Sequence, residues 1–158
     1  MSIYVFDTNV FLTLGHYYPR RFPTIWERID RLATAGELIS VREVRNELEY
    51  VCSFEHINNW VQVHRHIFRI ASALECQIVA EIFQRKQYRG LVRRKSILKG
   101  SPVADPFVIA SAKSHRRGCV VTQEENRPDG ARIPVVCDQL DVRWLNLEGF
   151  LEEQGLEY

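Results

Sequence analysis

The sequence predicts an α/β fold, a three-layer sandwich in which helices cover both faces of a central, mostly parallel sheet of four or five strands. Short apolar runs rich in β-branched and aromatic residues recur along the chain. Segments with apolar residues at helical spacing separate these runs, and strands that alternate with helices are typical of a parallel sheet. The length of 158 residues predicts one domain, residues 1–158, with a substantial buried core.

The first half of the chain predicts two strands and four helices. The strands are the apolar runs Ile3–Phe6 and Leu38–Ile39. A helix connects them from Phe22 to Ala35, and the next helix begins at Ser40, whose hydroxyl can cap the first turn. Residues 55–85 predict two further helices. The two strands therefore enter the sheet in the same direction, with helices between and after them.

The second half predicts two helices and three strands. Asp105 and Pro106 open a helix, because proline is tolerated at the first helical position, where its missing N–H has no partner to lose. The run Cys119–Thr122 predicts the third strand. Shorter apolar runs at Pro134–Cys137 and Trp144–Leu147 predict the fourth and fifth strands, and a last helix is expected from Leu147 to Gln154.

The net charge of +1 excludes a uniformly polycationic protein, but the charges are unevenly distributed. No acidic residue lies between Glu81 and Asp105, whereas the chain from Glu148 onwards has no lysine or arginine. A balanced total thus conceals one basic segment and one acidic tail. The basic segment consists of Arg85, Lys86, Arg89, Arg93, Arg94, Lys95 and Lys99.

The cysteine content and the hydropathy pattern predict an intracellular protein. The four cysteines lie far apart, with no CxxC pair that would indicate a zinc site. We expect reduced thiols that are mostly buried. No apolar run approaches the ~20 residues that a membrane helix needs, and the N-terminus lacks the pattern of a signal peptide. The protein is therefore expected to be cytoplasmic, with no membrane partner.

Four acidic residues each follow or adjoin a predicted strand, and they are Asp7, Glu47, Asp105 and Glu124. The carboxyl ends of the strands are where an α/β sheet collects its functional groups. Carboxylates that converge there repel each other unless cations hold them, and oxygen ligands suit Mg²⁺ or Mn²⁺. The pattern therefore predicts a metal-dependent phosphodiesterase.

Each of these acids also has a structural interpretation. Asp7 can be a turn residue, and Asp105 is a suitable N-cap before a proline. Glu43 lies three residues after Ser40, which is the spacing of a capping box, so we expect Glu43 to cap or to support the site while Glu47 acts as the ligand. Glu125 can replace its neighbour Glu124.

Together these motifs resemble the PIN-domain nuclease family, whose members include the toxin ribonucleases of VapBC-type toxin–antitoxin pairs. The resemblance covers nearly the whole chain. It rests on Phe6-Asp7-Thr8-Asn9 after the first strand, on Glu47-Leu48 within a helix, on Ala104-Asp105 followed by an apolar helix, and on Thr122-Gln123-Glu124 at a strand end. At the last position Glu124 stands where the family has Asp.

The resemblance implies metal-assisted hydrolysis of single-stranded RNA. Asp7 and Asp105 would hold one Mg²⁺ or Mn²⁺, and Glu47 and Glu124 would help or bind a second ion. Asn9 and Thr122 would orient ligands or water. The basic segment, with Tyr88 for stacking and Arg116 and Arg117 as an extension, would bind the RNA backbone. The expected protein partners are a cognate antitoxin and a second copy of the chain.

Two other functions remain open at this stage. A PIN-like domain without activity would serve as a partner- or RNA-binding module, although all four acidic positions are retained here. A phosphoacceptor domain would use Asp7 but needs an acidic pair after the first strand, and the run Asp7-Thr8-Asn9 lacks it. The apolar residues from Phe11 to Tyr18 either receive an inhibitor helix or fill the core.

Overall fold

Five parallel strands form the centre of the molecule. The computed structural model describes residues 1–85, 104–125 and 132–156. The strands are β1 (Ile3–Phe6), β2 (Leu38–Val41), β3 (Phe68–Arg69), β4 (Gly118–Val121) and β5 (Arg143–Leu145). Their order in the sheet is β3-β2-β1-β4-β5, and every neighbouring pair is parallel. The predicted α/β class with a central parallel sheet is confirmed.

Helices follow the strands and flank the sheet. In the described ranges they are α1 (Thr8–Leu14), α2 (Pro23–Ala35), α3 (Arg42–Val51), α4 (Glu55–Val63), α5 (Ala73–Gln84), α6 (Asp105–Ser114), α7 (Ile133–Gln139) and α8 (Leu147–Glu153). A short 3₁₀ turn, Arg65–Ile67, precedes β3. Successive residues of a strand point to opposite faces. Because Tyr4, Val5 and Phe6 are all buried, both faces of β1 are covered.

The strand order places a topological switch point beside β1. The chain first adds β2 and β3 on one side of β1, and it later adds β4 and β5 on the other side. The loops after β1 and β4 therefore leave the sheet in opposite directions and open a crevice at the carboxyl ends of these strands. The register that pairs Phe6 with Val121 brings the residues after both strands to the same height.

Aromatic contacts fix the last helix on one face of the sheet. Phe150 of α8 makes edge-to-face contacts with Tyr4 at 4.9 Å and with Phe6 at 5.0 Å between ring centroids. Phe6 also contacts Phe11 of α1 at 5.6 Å. Phe11 and Leu14 are almost fully buried, so most of the apolar character after β1 belongs to the core. Such aromatic pairs add about 1 kcal/mol each beyond the area they bury.

The predicted strand at Pro134–Cys137 is wrong, because these residues belong to α7. A short apolar run does not distinguish a buried strand from a buried helical segment. Pro134 lies at the start of the helix, where proline is well tolerated, and Val136 and Cys137 are buried against the core. A proline at the first turn was therefore the local signal for a helix.

The predicted cap at Ser40 is also wrong. Ser40 is the third residue of β2, and its hydroxyl donates a hydrogen bond to the carbonyl oxygen of Phe6 at 2.6 Å. The helix α3 begins after Val41 without a side-chain cap, so the predicted capping box with Glu43 does not form. A capping box is present instead at the start of α5, between Ser72 and Glu75.

Three further differences concern short elements. Neither α1 nor β3, which has only two residues, was predicted from the sequence. The N-cap of α6 is Ala104, so Asp105 is the first helical residue rather than the cap. The third predicted strand is confirmed with a shift of one residue, and the fifth, expected at Trp144–Leu147, spans Arg143–Leu145.

Candidate metal centre at the carboxyl edge of the sheet

Three carboxylates from three elements meet at the switch point. Asp7 directly follows β1, Asp105 begins α6, and Glu124 lies three residues beyond the end of β4. One oxygen of each side chain lies within 4.8 Å of the others. Residues that are about a hundred positions apart in the chain thus form one acidic cluster, which is the arrangement expected where strands of a parallel sheet end.

Asp7 is held firmly in place within this cluster. Its side chain is only 3% exposed. One oxygen, Oδ1, accepts a hydrogen bond from the backbone N–H of Thr8 at 2.8 Å, and Oδ2 accepts one from the hydroxyl of Thr122 at 2.9 Å. Asp7 is therefore both the N-cap of α1 and part of the cluster, so its capping role and a ligand role are compatible.

Burial makes the charge of Asp7 costly. The pKa of Asp7 is raised to about 7, chiefly by removal from water and also by the negative charges of Glu124 and Glu47, while the hydrogen bonds from Thr8 and Thr122 oppose the rise. An ionised carboxylate in this position needs a compensating positive charge. A divalent cation among the three carboxylates would supply that charge.

Hydrogen bonds hold both the backbone and the side chain of Glu124. Its backbone N–H donates to the Thr122 hydroxyl at 3.2 Å, and its Oε2 accepts a hydrogen bond from the N–H of Ile133 at 2.9 Å, at the first residue of α7. A negative side chain at a helix N-terminus is electrostatically favourable. Glu124 is 9% exposed, whereas Glu125 is exposed and does not belong to the cluster.

Thr122 and Asn9 connect the loops after β1 and β4. The Thr122 hydroxyl donates to Asp7 and accepts from the N–H of Glu124. Asn9 Nδ2 lies 3.5 Å from the same hydroxyl, and Asn9 Oδ1 accepts a hydrogen bond from the N–H of Gln123 at 2.9 Å. These contacts fix Asp7 relative to Glu124, which is the geometry expected of residues that orient the ligands of a metal.

Glu47 lies next to the cluster rather than in it. Its Oε2 accepts a hydrogen bond from the hydroxyl of Thr8 at 2.5 Å, and its charge contributes to the raised pKa of Asp7. The three clustered oxygens do not include one from Glu47. The expectation that Glu47 helps the other ligands or binds a second ion stays a prediction, and the structure connects Glu47 to Asp7 through Thr8.

Glu43 is buried one helical turn before Glu47. Its side chain is 2% exposed, and neither carboxylate oxygen has a hydrogen-bond partner among the described residues. Its contact with the half-exposed Arg42 is 3.6 Å long. Burial raises the pKa of Glu43, and Arg42 opposes that rise. The cluster of three carboxylates does not include Glu43.

Most of the basic segment lies outside the described residues. These positions are Lys86, Tyr88, Arg89, Arg93, Arg94, Lys95 and Lys99. Arg85 is exposed at the end of α5. Arg116 and Arg117 precede β4 and lie at the amino edge of the sheet. The basic segment that they are expected to extend lies almost entirely outside the described residues, so their part in it stays a prediction.

The residues present fit a small divalent cation. Mg²⁺ takes oxygen ligands at about 2.1 Å, so two ligands on opposite sides of one ion are about 4.2 Å apart. The clustered oxygens lie within 4.8 Å of one another, which is close to that span. Carboxylate ligands favour Mg²⁺ or Mn²⁺ over softer metals. The described residues place no histidine or cysteine in the cluster.

Two residues of the site were not predicted from the sequence. Thr8 donates to Asp7 through its N–H and to Glu47 through its hydroxyl. Gln123 holds the start of α8 through a hydrogen bond of 2.7 Å from the N–H of Leu147 to its Oε1. Thr8 belongs to the Asp-Thr-Asn run and was available from that motif. The long-range contact of Gln123 leaves no signal in local sequence.

The whole chain matches one family profile. A family described as "Domain of unknown function (DUF4411)" matches residues 4–158. The chain belongs to this family. No curated protein matches it at a significant level. In the described residues, every helix is too short or too polar to cross a lipid bilayer.

One solved structure relates the fold of this family to a known architecture. The chain is similar to a chain in the crystal structure of VapBC2 from Rickettsia felis bound to a DNA fragment from their promoter. The TM-score is 0.50 with 16% sequence identity, and the match covers 91% of this chain and 98% of that chain. At this identity the likeness concerns the fold, and it agrees with the predicted PIN-like architecture.

Proposed function

We propose that the protein is a divalent-metal-dependent ribonuclease that hydrolyses phosphodiester bonds of single-stranded RNA. The observation that carries the proposal is the cluster of the buried Asp7 and Glu124 with the partly buried Asp105, whose oxygens lie within 4.8 Å of each other at the switch point of the sheet. The hydrogen bonds that Asp7 and Glu124 accept at the starts of α1 and α7 leave the three carboxylates close together, and their mutual repulsion is costly without a cation. The motif resemblance to PIN-domain nucleases supports the same chemistry.

The three clustered carboxylates would hold Mg²⁺ or Mn²⁺. When bound, such an ion activates water for attack and neutralises the charge that develops on the phosphoryl oxygens. The chain itself contributes a rigid frame. Thr8 and Thr122 fix both oxygens of Asp7, and Ile133 fixes one oxygen of Glu124. Glu47 adds negative charge next to Asp7 and orients Thr8.

The substrate and the partner are proposed from charge and resemblance. The basic segment from Arg85 to Lys99 carries no acidic residue and would bind phosphates of the RNA backbone. An active ribonuclease in a cell damages its host, so an antitoxin would hold it inactive. The motif resemblance to toxins of VapBC-type pairs and the similar fold of a chain in the VapBC2 crystal structure support this regulation.

The proposal is tested by cleavage of a labelled single-stranded RNA. We expect cleavage with Mg²⁺ or Mn²⁺ and none with EDTA, and we expect Asp7→Asn and Asp105→Asn to reduce the rate by at least a hundredfold. Glu152→Gln is the matched control, because it also removes one carboxylate charge and Glu152 is exposed near the end of α8, outside the cluster.

Two results would contradict the proposal. Cleavage that persists in EDTA would exclude a metal-dependent reaction. Cleavage by Asp7→Asn at the rate of Glu152→Gln would place the reaction elsewhere or reveal a contaminating nuclease. The same preparations incubated with single-stranded DNA and with RNA duplexes separate a preference for single-stranded RNA from general phosphodiesterase activity.

A further inference from the structure

A second charged site lies at the amino edge of the sheet, on the side away from the carboxylates. The strands β1, β4 and β5 are adjacent and parallel, so their amino ends lie together. A pocket of about 460 Å³ opens there between the turn before β4 and the start of β5. Its charged and polar lining residues are Lys113, His115, Arg116, Arg117, Asp141 and Arg143.

The turn that carries most of these residues is rigid. Gly118 sits so close to α6 that an added Cβ would lie 1.9 Å from the carbonyl oxygen of Ala112. The carbonyl oxygen of Arg117 accepts a hydrogen bond from the N–H of Ile3 at 2.9 Å. The His115 ring nitrogen Nδ1 lies 2.8 Å from the carbonyl oxygen of Ser111, and a carbonyl accepts, so Nδ1 is the donor. These contacts hold the backbone of the turn in one position.

The pocket has an excess of positive charge that the protein does not neutralise. Lys113 donates to the carbonyl oxygen of Leu140 at 3.0 Å, and Arg143 pairs with Glu153. The side chains of Arg116 and Arg117 are exposed, and neither has a hydrogen bond or ion pair with any residue of the described ranges.

Asp141 is the single carboxylate among the described lining residues. Two adjacent guanidinium groups without partners, beside other cations, are suited to an anion.

We infer that this pocket binds phosphate groups of the RNA backbone and gives the substrate a second point of attachment, away from the carboxylates. The inference rests on the proposed ribonuclease function. Guanidinium groups match the geometry of phosphate oxygens, and the described lining contains no phenylalanine, tyrosine or tryptophan on which a base would stack. The contact is therefore to the backbone and independent of base sequence.

The distance between the two sites determines how long an RNA must be to contact both. The four residues of β4 separate the amino edge from the carboxyl edge by roughly 13 Å, at about 3.3 Å per residue. A short oligonucleotide at the carboxylates does not reach the pocket around the side of the molecule. A longer RNA reaches the pocket while it is bound at the carboxylates. It gains affinity because the second contact forms within a complex that already exists.

The test measures binding in the Asp7→Asn background, so that RNA stays intact whether or not the protein cleaves it. The variant is Arg116→Ala combined with Arg117→Ala. The control is Arg20→Ala combined with Arg21→Ala, which removes another exposed pair of neighbouring arginines and the same charge. The probes are a labelled RNA hairpin with long single-stranded arms, a short single-stranded RNA and a DNA duplex, titrated over a range of salt concentrations.

We expect the pocket variant to bind the long RNA at least tenfold more weakly than the control pair does. Loss of two phosphate contacts should reduce the slope of log K against log salt by about 1.4 to 1.8. Binding of the short RNA should be unchanged. An equal effect of both arginine pairs would show a general charge effect and overturn the inference, as would a loss confined to duplex DNA.

Cleavage separates this inference from the proposed function. With Asp7 restored, the pocket variant should cleave the short RNA at the normal rate and the long RNA with a raised KM. If no version of the protein cleaves RNA but the pocket variant still loses affinity for the long RNA, the ribonuclease proposal fails and the phosphate site stands. If cleavage is present and long-RNA affinity is unchanged, the phosphate site fails alone.

Discussion

At the scale of single residues, Asp7 combines a structural role with a chemical one. Its two oxygens accept hydrogen bonds from Thr8 and Thr122, so the side chain caps α1 and ties β1 to the loop after β4. Its burial raises its pKa to about 7. The folded protein therefore tolerates an expensive carboxylate at this position, which is typical of functional sites that are built at a cost in stability.

Asp7→Asn should stabilise the metal-free protein at pH 8. The folded state binds the Asp7 proton more tightly than the unfolded state, for which the usual value of 3.8 applies. Between pH 3.8 and about pH 7 the folded protein therefore carries more bound protons than the unfolded protein. The free energy of unfolding consequently falls as pH rises through this range. Asparagine does not ionise, so the Asp7→Asn variant avoids this loss of unfolding free energy. The loss is at most about 4 kcal/mol, because the pKa of Asp7 rises by about three units.

Denaturant titrations at pH 4.5 and pH 8 check this expectation. The gain from Asp7→Asn should be fully present at pH 8 and reduced to about a quarter at pH 4.5, which lies just above the unfolded pKa of 3.8. Added Mg²⁺ or Mn²⁺ should stabilise the natural protein at pH 8 but not the variant. If Asp7→Asn destabilises the protein equally at both pH values, the two hydrogen bonds matter more than the buried charge. Glu152→Gln serves as the control at an exposed position.

Glu43 and Glu47 provide a matched pair one helical turn apart. Glu47→Gln should lower metal affinity and the cleavage rate by about 10- to 100-fold, because its charge lies beside Asp7 and its oxygen orients Thr8. Glu43→Gln should leave cleavage nearly unchanged, because Glu43 lies outside the cluster and its oxygens have no hydrogen-bond partner among the described residues. The opposite order, measured by calorimetric metal titration and by cleavage, would assign the supporting role to Glu43.

At the scale of secondary-structure elements, the sequence predicted the elements that have a clear local pattern and missed those that lack one. The run Ile3–Phe6 is continuously apolar and rich in β-formers, the helix α2 has a clear helical periodicity, and both were correctly placed. The two-residue strand β3 is defined only by its pairing with β2, so no local pattern indicates it. The segment Pro134–Cys137 was misassigned because a short apolar run is compatible with a buried strand and with a buried helix.

The position of the acidic cluster was predictable because the sheet was predicted to be parallel. Once the strands are taken as parallel, the residues after β1 and β4 must meet at one edge, so Asp7 and Glu124 follow from topology. The capping role predicted for Glu43 was wrong because it relied on a capping box at Ser40. That box does not form, since the tertiary hydrogen bond from Ser40 to Phe6 outweighs the local capping preference.

Gly118 fixes the contact between α6 and β4. A Cβ at this position would lie 1.9 Å from the carbonyl oxygen of Ala112, which is backbone and cannot rotate away. Gly118→Ala should therefore separate the two elements and reduce the free energy of unfolding by about 3 kcal/mol. Gly36→Ala is the control, since Gly36 has a φ of 77° but open space around it, and its cost should be about 1 to 2 kcal/mol.

Urea unfolding of both variants distinguishes packing from backbone strain. A smaller cost at Gly118 than at Gly36 would contradict the close approach of α6 to β4. That result would also weaken the rigid turn on which the phosphate pocket depends.

At the scale of the whole molecule, the charges are segregated by edge of the sheet. The carboxyl edge holds the acidic cluster, and the amino edge holds the exposed arginines of the pocket. The net charge of +1 gives no indication of this separation. A polyanionic substrate is repelled by the bare carboxylates and attracted elsewhere, so a bound cation is needed for the substrate to approach the cluster.

The proposed toxin function predicts slower growth when the chain is expressed without an antitoxin. Expression of the natural chain in a bacterial host should reduce the growth rate, and expression of Asp7→Asn to the same level should not, because the variant lacks a proposed metal ligand. Glu152→Gln should be as harmful as the natural chain. Growth curves recorded at matched protein levels compare the three proteins. If none of the three slows growth, the toxin proposal fails and the ribonuclease proposal stands.

The most direct test of the metal centre is the anomalous scattering of Mn²⁺ in crystals of the protein. A difference map recorded at the manganese edge should show a peak within coordination distance of Asp7, Asp105 and Glu124, and crystals of Asp7→Asn should lack that peak. A peak elsewhere, or no peak at saturating Mn²⁺, would contradict the assignment of these three carboxylates as a metal site and with it the proposed chemistry.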